Sequence, residues 1–409
     1  MTGTFTSATS NFIFLTPTLN YSANQVTLTL SQPAVVVPPV VVPPVVVPPA
    51  PPTFPAVALT PNQIASSTAL QAGGAAGGDL FLAVLNSTSA VTARSAFDAS
   101  SGEIHATLQA AQFQNASSAR RTLLNRMRSA DAAAQGWSLW GDVNGNWGSM
   151  DSDGNAARAT NRGAAVTLGA DTAVNNNWRV GFSGAYAANE VGVGLRRSSA
   201  SLSTGQIAAY AYGKYDAIRL RSGFAYGFGT ANSRRDIGFA LFNDAVTAKQ
   251  DVDSQQLFGE VGYGFDLTGV TIEPFAGLSW TRVNAGSFRE SGGSAALAGN
   301  GSARDEGFST LGAQLFTGGT SFAGGILTPS ARVGWQHGFT NRLAARSLSF
   351  ISSGQGFTVF GTPLDADRAL IDLDATLALG GADISLGYTG SLGKRGEDHG
   401  VRMRVAVGL

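Results

Sequence analysis

The chain has 409 residues, of which 13% are charged, 44% hydrophobic and 52 glycine, and its 27 basic and 27 acidic side chains cancel. A formal charge of zero argues against nucleic acid as the main partner, and the lack of any run of about twenty uninterrupted apolar residues excludes helical membrane spans. Zero cysteines fit a chain that stays unfolded while crossing a membrane into an oxidising compartment. The length suits two or three ordinary domains or one large barrel.

Residues 1–32 read as two strand-like pieces, NFIFL and NQVTLTL, around a turn at Asn20–Asn24. They are too few to bury a core, so they resemble the last rungs of something longer. MTGTFTSATSNFIFL lacks the cationic start and long apolar run of a signal peptide, and the sequence is expected to be a fragment of a chain that begins upstream. Residues 33–59 form a Pro/Val-rich linker: VVVPP occurs three times from Val35 to Pro49, and eleven of the 15 prolines lie between Pro33 and Pro61. Proline supplies no backbone donor and fixes φ, so this stretch predicts a polyproline II spacer, roughly 60 Å over about twenty residues. A motif for a proline-recognising domain is the weaker reading, because such partners are chiefly intracellular eukaryotic modules.

Residues 60–131 predict a helical region. Thr60-Pro61 is an N-cap with proline at the first helical position, and Gly73-Gly74 stops that helix. Further helices are expected over Asp79 to Leu85, over Ser89 to Phe97, and in GEIHATLQAAQF behind a cap at Ser100 or Ser101. The last, about 117–130, has small residues at Ser117, Ala119 and Thr122, and Asn125 among the cations Arg120, Arg121, Arg126 and Arg128. It has no broad apolar stripe of the kind that faces a core, and it suits a polar tunnel.

From residue 132 to 409 the side-chain period becomes two, the mark of strands. In the last strand Val401, Met403, Val405, Val407 and Leu409 alternate with Arg402, Arg404, Ala406 and Gly408. Twelve such strands are expected near 137–147, 160–173, 176–188, 203–215, 217–231, 249–266, 270–284, 304–317, 325–338, 355–379, 382–391 and 399–409. In the clearest of them one face is aliphatic and aromatic, and the other charged, hydroxylic or glycine. That inverts a soluble barrel and fits an all-β barrel of antiparallel transmembrane strands in lipid, closed because an open edge cannot be satisfied there. Glu260, Glu273, Asp372 and Asp374 fall on the lumenal face, with Arg219, Arg221, Arg402 and Arg404. Two readings of these acids stay open: they engage the arginines of the pore helix, or the polar lumen pairs with itself.

These stretches together resemble the C-terminal translocator of an autotransporter, a type V secretion protein of Gram-negative bacteria, over nearly the whole chain. TPNQ at 60–63, SGEIHA at 101–106 behind Ala96-Phe97, and TLLNR at 122–126 resemble the region preceding such barrels. WSLWGDVNGNWGSMDSDGNAA from Trp137 resembles the first strand and loop, and VTLGAD at 166–171 the second strand. The resemblance implies a twelve-stranded outer-membrane barrel with an α-helix in its pore, anchoring an N-terminal passenger and exporting it to the cell surface. It implies that residues 1–32 end a β-helical passenger. It also implies that Val401, Met403, Val405, Val407 and Leu409 form the assembly signal read by the barrel assembly machinery, with periplasmic chaperones as further partners and a monomer as the final state. Leu409 stands where the family usually has phenylalanine or tryptophan. Asn125 is followed by Arg126 rather than by the second asparagine of self-cleaving members, so cleavage inside the barrel is not expected.

No enzyme, cofactor or metal is called for. His105, His337 and His399 are isolated, DSDGN at 151–155 lacks the distal glutamate of a calcium loop, no GxSxG elbow occurs, and no helix follows the glycines of 223–229. Two rival classes fit less well. A porin or diffusion channel needs neither the helix nor the proline spacer, and a soluble adhesin or surface enzyme would aggregate through the aliphatic exterior.

Overall fold

The computed structural model describes residues 4–32, 52–130, 132, 134–340 and 343–409; the VVVPP repeats, and the spacer expected there, lie outside the described residues. A hairpin of β1 (Thr16–Tyr21) and β2 (Val26–Ser31) comes first. Then follow α1 (Phe54–Val57), α2 (Pro61–Gly73), α3 (Gly78–Leu85), α4 (Ala90–Ser100) and α5 (Ile104–Ser129). The expected linker therefore ends early, since α1 is helical from Phe54 and that ring is fully buried. The cap at Thr60 forms as expected, its hydroxyl accepting from the Gln63 amide at 3.2 Å.

The barrel is built from β3 (Trp137–Met150), β4 (Ala159–Ala173), β5 (Trp178–Val193), β6 (Ser198–Tyr215), β7 (Ile218–Phe239), β8 (Phe242–Tyr263) with its extension β9 (Phe265–Leu267), and β10 (Val270–Ala285). After β11 (Phe288–Arg289) and β12 (Leu297–Gly299) it continues with β13 (Ser302–Thr317), its neighbour β14 (Thr320–Phe322), and β15 (Gly325–Gly338). Then β16 (Ala345–Phe350) and β17 (Gly356–Phe360) precede β18 (Asp367–Leu379), β19 (Ala382–Gly393) and β20 (Gly396–Gly408). Of the 14 strands in the large sheet, the short β9 and β14 are rim extensions, and the other twelve make the ring. Each ring strand pairs antiparallel with the next, β13 pairs with β15, and β20 pairs with β3, so no edge is left open.

The alternation falls as the residue chemistry requires. In β20, Val401, Met403, Val405 and Val407 are 52%, 48%, 38% and 40% exposed, while Arg402 and Arg404 are 7% and 3% exposed. Along β3, the exposed rings Trp137 and Trp147 lie ten residues apart, roughly 26 Å at 3.4 Å per residue and a 40° tilt. That spacing matches the two aromatic girdles of a membrane barrel. Both ends of the barrel meet at one rim, where the Leu409 amide donates to the Trp137 carbonyl at 2.8 Å.

Two strand expectations are corrected. The stretch 355–379 is not one strand: β17 belongs to a four-stranded sheet with β11, β12 and β16 at the far rim, and β18 alone joins the barrel. Pro363 interrupts the ladder between them. Next to it Gly361 lies against α5, where a Cβ would come within 2.4 Å of the Thr107 nitrogen. β7 and β8, 22 residues each, also outrun the expected 217–231 and 249–266 at the far rim. There the outer face leaves lipid and turns polar, so the apolar period fades.

The helical expectations change more. The two helices expected over 102–113 and about 117–130 are one helix of 26 residues, because nothing in Gln114–Asn115–Ala116–Ser117 breaks a helix. At 1.5 Å per residue it is about 39 Å long. Ser101 does not cap it; its hydroxyl donates to the Asp98 carbonyl at 2.8 Å and finishes α4. Gly102, at φ +69°, makes the bend between the two helices. Helices α1 to α4 share a second apolar core with the far-rim loops: Phe54, Leu80, Phe97, Phe239, Phe288 and Phe350 are all buried in it. Pro61–Leu85 is apolar and long enough by composition to cross a membrane, contrary to the expectation that no helical stretch would be. It is broken at Gly74–Gly77, and its inner face packs in this cap.

Candidate functional site: the pore helix and its lumenal partners

Helix α5 runs down the lumen, and its arginines reach wall acids. Arg126 makes a two-pronged contact with Asp171, Nε to Oδ2 at 2.9 Å and Nη2 to Oδ1 at 3.0 Å, and also reaches the Ser138 hydroxyl at 2.8 Å. Asp171 is fully buried and accepts from Arg179 Nε at 3.1 Å and from the Tyr210 and Tyr212 hydroxyls at 3.0 Å each. Trp140 in turn donates to the Tyr210 hydroxyl at 2.7 Å.

One turn away a longer chain of charges crosses the lumen. Arg121 holds Asp372 at 2.6 Å, and Asp372 accepts from Arg332 at 2.9 Å. Arg128 grips both oxygens of Glu260, through Nε at 2.9 Å and through Nη2. Arg221 bridges Glu260 at 3.0 Å to Glu273 at 2.6 Å, and Arg219 completes the row at 3.1 Å from Glu273. The forks of Arg126, Arg128 and Arg221 each match a carboxylate edge, which gives these contacts geometric selectivity. Desolvation offsets much of the Coulomb gain, so the network specifies position more than it adds stability.

The expected site residues therefore divide. Arg121, Arg126 and Arg128 pair with wall acids, and of the four expected acids Asp372 and Glu260 receive them. Glu273 does not meet the helix; Arg219 and Arg221 on the wall occupy it. Asp374 is taken by the wall residue Arg402 at 2.5 Å. Among the described residues Arg120 reaches no acid; it donates to Gln256 at 3.2 Å and Thr281 at 3.3 Å, with its guanidinium 5.8 Å from the Phe308 ring centre. Asn125 accepts from Arg128 at 2.9 Å and so braces its neighbour rather than the wall. Sequence reasoning missed Asp171 and Arg332. Asp171 was detectable in principle, since it ends VTLGAD on the same face as the buried Thr167. Beside the helix, Gln112, Asn115 and Ser118 face Asn144, Asn146 and Gln206 across a cavity of about 70 Å³, large enough for several waters.

The upper end of α5 is fastened differently. Glu103 accepts from Arg196 at 3.0 Å and from the Ala157 amide at 2.9 Å, and burial raises its pKa. His105 is fully covered, stacks on Phe288 with centroids 3.9 Å apart, and shares a 2.7 Å contact with Glu290. Arg235 clamps Glu290 at 2.7 and 2.6 Å. Burial opposes ionisation of Glu290, but Arg235 and His105 outweigh it and hold the carboxyl at about 2. A depressed carboxyl stabilises the fold above its unfolded pKa, so this contribution falls away as pH drops below about 4.5 toward 2. Glu290→Ala would strand Arg235 in the cap and is expected to cost about 3–5 kcal/mol there. Limited proteolysis of α1–α4 at neutral pH reads this; a cleavage rate equal to wild type would refute it.

The DSDGN stretch is a turn between β3 and β4, with Asp153 accepting from the Asn155 and Ala156 amides at 2.9 and 2.8 Å. Among the described residues no group of three or more His, Cys, Asp or Glu could hold a metal ion.

A closed barrel with an apolar outer wall, girdled by aromatic rings and plugged by the segment that enters it, defines an outer-membrane translocator. The autotransporter beta-domain family model matches residues 139–389, and the chain belongs to that family. It is a Gram-negative outer-membrane barrel that carries an N-terminal passenger to the cell surface. Two curated relatives, both named extracellular serine protease and both from Serratia marcescens, are 28% identical over 334 residues, which is 80% of this chain. The chain spans 32% of the length of these relatives. Among solved structures, the translocator domain of autotransporter NalP from Neisseria meningitidis aligns with a TM-score of 0.60 at 17% identity, covering 74% of this chain and 99% of that one. This likeness shows the shared fold.

Proposed function

We propose that α5 is the last exported stretch, held in the pore as plug and tether once the passenger is outside, and that the barrel itself performs no chemistry. The observation that carries this is the pairing of Arg121, Arg126 and Arg128 with acids on three separate parts of the wall. Such contacts fix the depth and rotation of the helix. The cysteine-free chain allows a direct test. Leu123 on α5 is 1% exposed and Val91 on α4 is 69% exposed. On intact cells a membrane-impermeant maleimide should label Val91→Cys rapidly and Leu123→Cys hardly at all. Equal labelling would remove α5 from the pore.

Residues 1–32 fit the tail of a β-helical passenger. Leu28 and Leu30 leave an apolar face of the β1–β2 hairpin open, and a lone hairpin is marginal without further strands. The C-terminal strand fits the signal read by the barrel assembly machinery, after delivery by periplasmic chaperones. Replacing both Val405 and Val407 with Asp would put charge on the lipid face at the β20–β3 seam. Most of that chain should fail to show heat-modifiable migration on gels, and a fully folded barrel would count against the reading.

A further inference from the structure

On one side the barrel wall rises well past the lipid. β7 and β8 run 22 residues each, against 14, 13, 12 and 13 for β15, β18, β19 and β20. Phe228 is the last large apolar residue on the outer face of β7 before its far end. Four residues further on, roughly 10 Å higher at 3.4 Å per residue and a 40° tilt, Asn232 pairs with Lys249. Above it Arg234 pairs with Thr247. These residues, with Arg289 and Ser291, line a broad outward-facing groove of about 1170 Å³.

The charges in this groove are oddly placed. Thr247 bridges antiparallel to Ser291, and the Gly286 amide donates to the Asp251 carbonyl at 2.8 Å, one residue out of that register. Lys249 and Arg289 lie between these two contacts on neighbouring segments, and both side chains are exposed. Like charges held close on one exposed face repel. Asp251 lies two residues nearer the lipid on the same face, but among the described residues no ion pair reaches Lys249 or Arg289. Arg234 is tied to Asp236 at 2.7 Å. Donors surround the two cations: the Thr247 and Ser291 hydroxyls, 3.4 Å apart, and the Asn232 amide.

We propose that Lys249 and Arg289 clamp a phosphate group on the saccharide headgroup of an outer-leaflet glycolipid. A phosphate between them turns the repulsive pair into two charge-assisted contacts, and hydroxyl and amide donors suit the sugar beside it. The height above Phe228 places the pair just beyond the hydrocarbon, and long cationic side chains can snorkel back toward it. On β7 the exposed Phe228 lies four residues below Asn232, which gives the acyl chains of the same lipid an apolar surface beneath the pair and favours a glycolipid over a free anion. The proposal rests on the outer-membrane placement of the barrel and is independent of where α5 lies.

The test uses the purified full chain in detergent, titrated with rough-type lipopolysaccharide, with the same lipopolysaccharide after phosphatase treatment, and with inorganic phosphate. The wild type should bind the phosphorylated lipid about tenfold tighter than the dephosphorylated one, as expected for one or two charge-assisted contacts. Lys249→Gln with Arg289→Gln should lose that preference while keeping heat-modifiable migration, and Lys394→Gln, on the turn between β19 and β20, should keep it. Equal affinity of the wild type for both lipids, or an undiminished preference in the double variant, would overturn the proposal. Inorganic phosphate competing as well as the lipid would overturn it too, by showing a free-anion site.

Discussion

Removal of residues 1–131 should convert a nearly silent barrel into a conducting one. A helix with side chains is 10–12 Å across, and α5 fills the lumen apart from cavities such as the one beside Gln112 and Asn144. Planar-bilayer conductance should therefore rise about tenfold or more once the helix is gone, since most of the cross-section is freed. A second deletion, residues 1–103, separates the two barriers that the fold presents. It removes α1–α4, and with them much of the apolar core that roofs the extracellular rim, but keeps α5 and its arginines. If α5 is the seal, this chain stays nearly silent. If the roof is the seal, both deletions conduct alike. Equal conductance of the full chain and the 1–131 deletion would leave a porin as the better description.

The parts of this design that lipid enforces were open to reading in the sequence. Val401, Met403, Val405 and Val407 show their period because each must face hydrocarbon while Arg402 and Arg404 face the lumen. Beyond the bilayer that constraint lapses. β7 and β8 continue through Asn232, Arg234, Thr247 and Lys249 with polar residues outside, and there the period no longer marks a strand. The cap was legible only as separate helices, because its core joins Phe54 and Phe97 to Phe239, Phe288 and Phe350, residues brought together by ring closure alone. The partners of the arginines depend on the same closure. Asp372 and Asp374 both point inward, yet they stand two residues apart, about 7 Å along the strand. Only Asp372 lies level with Arg121, whereas Asp374 lies beside Arg402 of β20. No spacing within one strand carries that distinction.

Asp171 is the residue whose loss should release the lower half of the plug. Among the described residues it is the one carboxylate that pairs with both Arg126 and Arg179, and both guanidiniums are nearly inaccessible. Asp171→Ala therefore leaves two buried cations and the hydroxyls of Tyr210 and Tyr212 without their acceptor, which should cost about 3–5 kcal/mol. Part of that cost falls on the wall through Arg179, and part on the position of the helix through Arg126. Arg126→Gln removes only the second part, and it leaves Asp171 with Arg179 and both tyrosines. Both variants should speed maleimide labelling of Leu123→Cys and produce conductance bursts in planar bilayers. Asp374→Ala provides the contrast, because it breaks a wall-to-wall pair with Arg402. It should lower the unfolding temperature while Leu123→Cys stays protected and the bilayer stays quiet. If Asp171→Ala and Arg126→Gln leave that cysteine as protected as before, the contact does not hold the helix, and the Arg128–Glu260 and Arg121–Asp372 pairs must hold it alone.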